Sequence, residues 1–154
     1  MNTKLAIFIF LLSMSFSSVA QNLATAERAP RLPIENYLPD KDRLVYMGFI
    51  HSSSIPCKVS TANTIKIIES IPILDMIFFT REQFINCEKW VKDLNTQYNC
   101  MHYAANDIFQ RYGVDYAPFG VLLDSKRRVL WFGHPRSLTK VRIENIITKW
   151  NTQK

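Results

Sequence analysis

The 154-residue chain contains only four glycines and three cysteines. A phosphate-binding loop needs several closely spaced glycines, so this scarcity argues against a nucleotide site. No two cysteines lie a few residues apart, and the three histidines add no metal-ligand spacing. Paired catalytic carboxylates and a serine-hydrolase motif are also missing. We therefore expect neither a metal site nor a cofactor.

Acidic residues are also few: the chain has 13 acidic and 19 basic residues, which gives a net charge of +6. The basic residues concentrate at positions 126–128 and from Arg136 to the end. Such runs usually form solvated faces. For an exported domain they do not indicate a nucleic-acid partner.

The first 20 residues have the three parts of a signal peptide. Lys4 provides the positive charge, residues 5–12 the apolar core, and residues 18–20 a cleavage site before Gln21. The apolar run is shorter than the roughly 20 residues of a spanning helix, so no membrane segment is expected after cleavage. The predicted location is periplasmic if the source is a Gram-negative bacterium, and otherwise secreted.

After cleavage the chain is long enough for one domain. Residues 21–42 carry Pro30, Pro33 and Pro39 and are interpreted as an extended lead-in. Residues 43–154 then form the domain.

The first buried element of that domain is the apolar run 44–50, which predicts a strand covered on both faces. A serine-rich loop follows, and Pro56 favours the start of a helix over residues 56–69, with Ala62, Ile65 and Ile68 on one side. Cys57 lies in the first turn of this helix, near unpaired amide groups and the positive end of the helix dipole. These surroundings make Cys57 a candidate reactive cysteine.

A second apolar strand is predicted at residues 73–79, parallel to the first. A helix from residue 80 then places Phe84, Cys87, Val91 and Leu94 on one face, so Cys87 is expected to be a buried apolar residue. Residues 98–103 predict a short strand carrying Cys100. Export also permits a Cys87–Cys100 disulfide, which is the alternative for these two cysteines.

The last part of the chain predicts a helix at 106–112, a hairpin and a final helix. The hairpin strands are 119–123 and 128–132, joined by a turn at 124–127. The final helix is expected over residues 137–150, capped by Ser137, with its buried side formed by Ile143, Ile146, Ile147 and Trp150.

The stretch Ser54-Ile55-Pro56-Cys57, which follows the first strand, resembles the active-site segment of thioredoxins. In that family two cysteines flank a variable residue and a proline, and here Ser54 replaces the first. Ser53 stands where a tryptophan is usual, and Gly48 where many members have a buried acid. Residues 112–135 have the order of the second half of a thioredoxin fold, and the long segment between resembles the exported redoxin branch.

The resemblance implies an α/β fold with a central mixed sheet of four to five strands, flanked by helices on both faces. It implies a cis peptide bond before Pro118. It also implies a docking surface at Ala117, Pro118 and Pro56 for an extended polypeptide of an exported partner.

Three functions are compatible with this degenerate motif. The first is thiol–disulfide exchange with protein thiols, in which Cys57, Ser54 and Pro118 form the site. The second is a non-catalytic polypeptide-binding module in which Cys57 is merely buried. The third is a peroxidase that resembles one-cysteine peroxiredoxins, because Ser54-x-x-Cys57 matches their motif. Ile50 replaces the expected proline of that family, and Arg128 or Arg136 would have to stabilise the thiolate.

Overall fold

The structure, a computed structural model, describes residues 28–31, 40–82, 89–90, 93, 102–104 and 106–153. The predicted signal peptide, most of the predicted helix after residue 80, and the two cysteines of the candidate disulfide, Cys87 and Cys100, lie outside these residues. Of that helix, residues 80–82, 89, 90 and 93 are described. Thr80 ends a strand and residues 81–82 are not helical, so the predicted start at residue 80 is wrong, because the strand pairing extends through Thr80. Residues 89, 90 and 93 are helical.

Apart from the helical residues 89, 90 and 93, the described residues form five strands, three α-helices and a 3₁₀ helix. In chain order these are β1 (Leu44–Ile50), α1 (Ile55–Glu69), β2 (Leu74–Thr80), β3 (His102–Ala104), α2 (Asn106–Arg111), β4 (Phe119–Asp124), β5 (Val129–Gly133), the 3₁₀ helix (Pro135–Ser137) and α3 (Lys140–Asn151).

The five strands form one sheet in the order β3-β2-β1-β4-β5. β1 runs parallel to β2 and antiparallel to β4, while β2 pairs in parallel with β3 and β4 pairs antiparallel with β5. The predicted mixed sheet is confirmed. Every residue of the central strand β1 is buried, as its unbroken apolar run predicts.

The two faces of the sheet carry separate apolar clusters because successive strand residues point to opposite sides. One cluster joins Val45, Met47 and Phe49 of β1 to α2. The other joins Tyr46 to residues of α1 and α3. Helices therefore cover both faces, as expected.

Helix α1 begins at Ile55 because Ser54 caps it. The Ser54 backbone is extended (φ −85°, ψ 114°), and its Oγ accepts a hydrogen bond from the Cys57 N–H at 3.4 Å. On the predicted buried side, Ile65 and Ile68 are buried and Ala62 is half-buried.

The final helix begins later than predicted, so the expected cap at Ser137 is wrong. Residues 135–137 form the 3₁₀ helix, and the buried Leu138 has a non-helical backbone (φ −94°, ψ 75°) that separates it from α3. Thr139 caps α3, its Oγ1 accepting the Arg142 N–H at 3.3 Å. On the predicted buried side of α3, Ile143 and Trp150 are buried, while Ile146 and Ile147 are half-buried.

The hairpin between β4 and β5 closes without glycine. Arg127 takes the positive φ of 62° that glycine usually supplies. The buried Asp124 holds the turn, since its carboxylate accepts from the Lys126 and Arg128 N–H groups and from Arg128 Nε. Here the lead-in packs on the domain: Ala29 is buried and donates its N–H to the Arg127 carbonyl at 2.8 Å.

Candidate functional site

The two residues of the degenerate motif lie where the loop after β1 enters α1, with Ser54 at the cap and Cys57 in the first turn. Cys57 is completely buried, with 0% of its surface exposed, and it is a free thiol. Ser54 is half-buried at the helix cap. Its N–H donates to the His51 carbonyl at 3.2 Å, and its own carbonyl accepts the Lys58 N–H at 3.0 Å. Ser54 is therefore the partly accessible residue of the motif, and Cys57 is the inaccessible one.

A pocket of about 350 Å³ opens beside Ser54. It is lined by Ile50, His51, Ser53 and Ser54 from the end of β1 and the following loop, by Arg81 and Phe109, and by Asp115, Tyr116 and Ala117. The Ala117–Pro118 peptide bond is cis. The structure thus brings Ser54 and Ala117 into one pocket, whereas Cys57, Pro56 and Pro118 are not among its lining residues.

Arg81 forms the cationic wall of this pocket. Its guanidinium lies over the Phe109 ring, 4.5 Å from the centroid, and Nη2 donates to the Val114 carbonyl at 3.0 Å. Sequence reasoning missed Arg81. The available signal was its position directly after β2, because the carboxyl ends of parallel strands such as β1 and β2 meet at one edge of a sheet.

Glu82 ties the same loop to the end of β2. Its Oε2 accepts the Ser52 N–H at 2.7 Å and lies 3.3 Å from Thr80 Oγ1, and its Oε1 lies 3.0 Å from His51 Nδ1. Burial raises the pKa of Glu82, but the Ser52 hydrogen bonds, the His51 charge and Thr80 outweigh it, so the pKa is lowered. Sequence reasoning missed this anchor too.

The serine and histidine beside Glu82 do not form a hydrolase triad. Ser53 Oγ lies 2.9 Å from His51 Nδ1, the same nitrogen that faces the Glu82 carboxylate. A triad needs the serine on one ring nitrogen and the acid on the other. The cluster therefore positions the loop and does not activate Ser53.

Apolar side chains are exposed in the pocket lining and on the helix that follows Ser54. Tyr116, which lines it, is 56% exposed, and Ile55 and Val59 on the first turns of α1 are 73% and 50% exposed. Ile55 and Val59 are four residues apart and so lie on one face of the helix. Exposed apolar groups beside a pocket favour contact with another polypeptide.

The arginine expected for a peroxidase site is misplaced. Arg128 binds Asp124, which pairs with Leu44 at the start of β1. The motif follows the other end of β1, and seven strand residues span about 20 Å. The prediction for Arg128 is therefore wrong. Arg136 is exposed on the 3₁₀ helix and does not line the pocket.

The described residues contain no group of three or more histidine, cysteine, aspartate or glutamate side chains placed to hold a metal ion. None of their helices is both long and apolar enough to cross a membrane.

No protein-family model and no curated protein matches the sequence. Solved structures do match the fold. A thioredoxin-like protein from Parabacteroides distasonis superposes with a TM-score of 0.67 at 10% identity, over 81% of this chain and 95% of that one. The thioredoxin domain of a thiol-disulfide oxidoreductase from Bacteroides vulgatus gives a TM-score of 0.63 at 16% identity, over 83% and 98%.

A secreted Mycobacterium tuberculosis disulfide oxidoreductase, homologous to E. coli DsbE, gives a TM-score of 0.57 at 12% identity, over 71% of this chain and 83% of that one. Identities this low establish the architecture and leave the chemistry to the residues of the site. The chain has a thioredoxin-like fold.

Proposed function

We propose that this chain is an exported thioredoxin-fold protein that binds extended polypeptide segments of partners in thiol–disulfide metabolism and does not itself run a dithiol cycle. One observation carries the proposal. Ser54 lines the pocket with Ala117, while the only cysteine of the motif, Cys57, is 0% exposed and does not line it.

The chemistry explains why this arrangement favours binding. Disulfide exchange begins with an accessible thiolate that attacks a sulfur atom, and a second thiol resolves the mixed disulfide. The Ser54 hydroxyl can donate or accept a hydrogen bond but does not attack a disulfide. The attacking position is therefore lost, whereas the pocket and its exposed apolar border remain.

The pocket suits an extended segment with an apolar side chain. Ile50, Phe109 and Tyr116 supply apolar walls, and Arg81 adds a fixed donor at the edge. The solved structures named as thiol-disulfide oxidoreductases support partners that carry thiols or disulfides. A partner cysteine seated here would meet the hydroxyl of Ser54.

Binding can be tested with reduced, carboxymethylated insulin B chain as the extended polypeptide. Tyr116→Ala should weaken its binding about tenfold or more, because a large aromatic side chain leaves the border of the pocket. Val141→Ala is the matched control, since Val141 is 66% exposed on α3 and does not line the pocket. Equal binding by the wild type and Tyr116→Ala would contradict the proposal.

A second function, exchange through Cys57 alone, is favoured by the position of this thiol one helical turn behind Ser54. It requires the first turn of α1 to open. Native alkylation followed by peptide mapping separates the two functions. A Cys57 that reacts only after denaturation supports the binding module, whereas a Cys57 that reacts in the folded protein, and traps partners that Cys57→Ser does not, supports exchange.

A further inference from the structure

A second pocket, of about 360 Å³, lies between the edge strand β5 and the C-terminal half of α3. Its apolar lining includes Leu130, Ile146 and Trp150, and its basic lining consists of Arg128 and Lys149. This volume falls in the lower part of the range of small-molecule sites. The pocket therefore combines an apolar wall with cations.

The net positive charge of the described residues comes from the part of the chain that contains this pocket. Residues 126–153 hold seven basic side chains and one acidic side chain, while the other described residues hold nine of each sign. The net positive charge of the described part thus belongs to the β4–β5 turn, β5, the 3₁₀ helix and α3. An anionic ligand is attracted to such a region.

Arg28 and Arg128 lie opposite each other near the pocket, and a bound anion would relieve the repulsion between their charges. Arg28 forms an isolated antiparallel bridge with Arg128, which places the two side chains on one face. Directly opposed like charges destabilise a strand pair. Asp124 offsets Arg128, with its Oδ2 2.6 Å from Arg128 Nε, but Asp124 is 1% exposed and its Oδ1 is taken by backbone N–H groups.

Across the described part of the chain, neither Arg28 nor Lys149 has a carboxylate within ion-pair distance. The ligand must also cover apolar surface, because an inorganic anion would leave Leu130 and Ile146 facing water. A ligand that satisfies both parts carries a charge and an apolar body.

We propose that this pocket binds a free, single-tailed amphipathic anion, namely one carboxylate or sulfonate on a short unbranched hydrocarbon chain. The charged group binds Arg128 and Lys149, with Arg28 adding attraction from the paired strand. The hydrocarbon chain lies on Leu130, Ile146 and Trp150. The site is separate from the pocket beside Ser54, with which it shares no lining residue.

Decanoate, below its micellar concentration, is the probe, and backbone chemical shifts report its position. We expect saturable one-to-one binding, with the largest shifts at Leu130, Ile146 and Lys149. Shortening the chain to octanoate and hexanoate should weaken binding by roughly fourfold per methylene, because each methylene loses its burial. Lys149→Gln should weaken decanoate binding about fivefold.

Lys140→Gln is the matched control, because it removes the same charge from the same helix but lies outside the pocket. Lys140 and Lys149 are both exposed, so both variants should fold. Decanol that binds as tightly as decanoate, equal losses in the two variants, shifts centred on Ser54, or no saturable binding would each overturn the proposal.

Discussion

Gly48 of β1 lies against the ring of Phe78, so that a Cβ atom at residue 48 would be 2.5 Å from Phe78 Cδ1. Gly48 pairs with Gly120 of β4, where a Cβ would be 2.6 Å from the Tyr46 hydroxyl. The two glycines make room for two rings beneath α1. Position 48 is where many thioredoxins have a buried acid, and in this chain aromatic packing fills that space.

Gly48→Ala should therefore lower the free energy of unfolding by about 1–3 kcal/mol, because the added methyl group overpacks the core. Urea denaturation measures the change. In a Phe78→Leu background the same substitution should cost less, since leucine vacates part of the ring volume and residues in contact are not additive. An equal cost in both backgrounds would show that Phe78 is not the obstacle.

Removing the Glu82 anchor should produce a pH-dependent loss of stability. The pKa of Glu82 is lowered in the folded protein, so its contribution is present above the unfolded pKa of about 4.3 and is lost as the pH falls through the folded pKa. Glu82→Gln should cost about 1 kcal/mol at pH 7 and little at pH 2 to 3. Urea titrations at both pH values test this, with the exposed Glu144→Gln as control; a cost that does not change with pH would contradict the anchor.

The caps of the C-terminal helix give a direct test of the corrected boundary. Thr139→Ala should lower the free energy of unfolding by about 1 kcal/mol, because it removes the side-chain acceptor of the Arg142 N–H. Ser137→Ala, at the cap expected from sequence, should cost less, since the Ser137 hydroxyl donates to the His134 carbonyl in an exposed 3₁₀ turn. Thermal or urea unfolding compares the two, and the opposite order would restore the sequence boundary.

The sequence alone predicted the elements whose structure depends on one continuous segment of the chain. The apolar run Leu44–Ile50 can form only a covered strand, and the order of the second half identifies the hairpin and the last helix. Boundaries moved by up to three residues where a local choice existed, as at the start of the last helix. Residues 137 and 139 can both cap a helix, and the burial of Leu138 between them decides for Thr139.

The pocket was predicted only in part, because its other residues come together through the sheet. Glu82 lies 30 residues beyond Ser52, which it contacts, and Arg81 lines the same pocket as the loop; the parallel pairing of β1 with β2 brings both there. The burial of Cys57 was missed for the same reason. Its place in the first turn follows from Pro56, whereas its burial depends on the elements packed around α1, which include the distant 3₁₀ helix.

Restoring the first motif cysteine tests the site as a whole. In Ser54→Cys the new thiol would stand at the helix cap beside the pocket, with Cys57 one turn further along, and the two sulfurs should come within disulfide range. We expect a disulfide between residue 54 and Cys57 on mild oxidation, and a gain of insulin reduction with a chemical recycling reductant. The gain should be partial, because Gly48 supplies no buried carboxylate and Ser53 no aromatic cover.

The matched control is Ser53→Cys, which adds a thiol at the adjacent, exposed position but outside the cap geometry. It should form no intramotif disulfide and gain no activity. Loss of the serine cap should cost Ser54→Cys about 0.5–2 kcal/mol, so its circular dichroism and unfolding curve are measured first. A folded Ser54→Cys variant that forms no disulfide with Cys57 would refute the placement of Ser54 and Cys57 at a thioredoxin-type helix start, and with it the polypeptide site proposed beside Ala117.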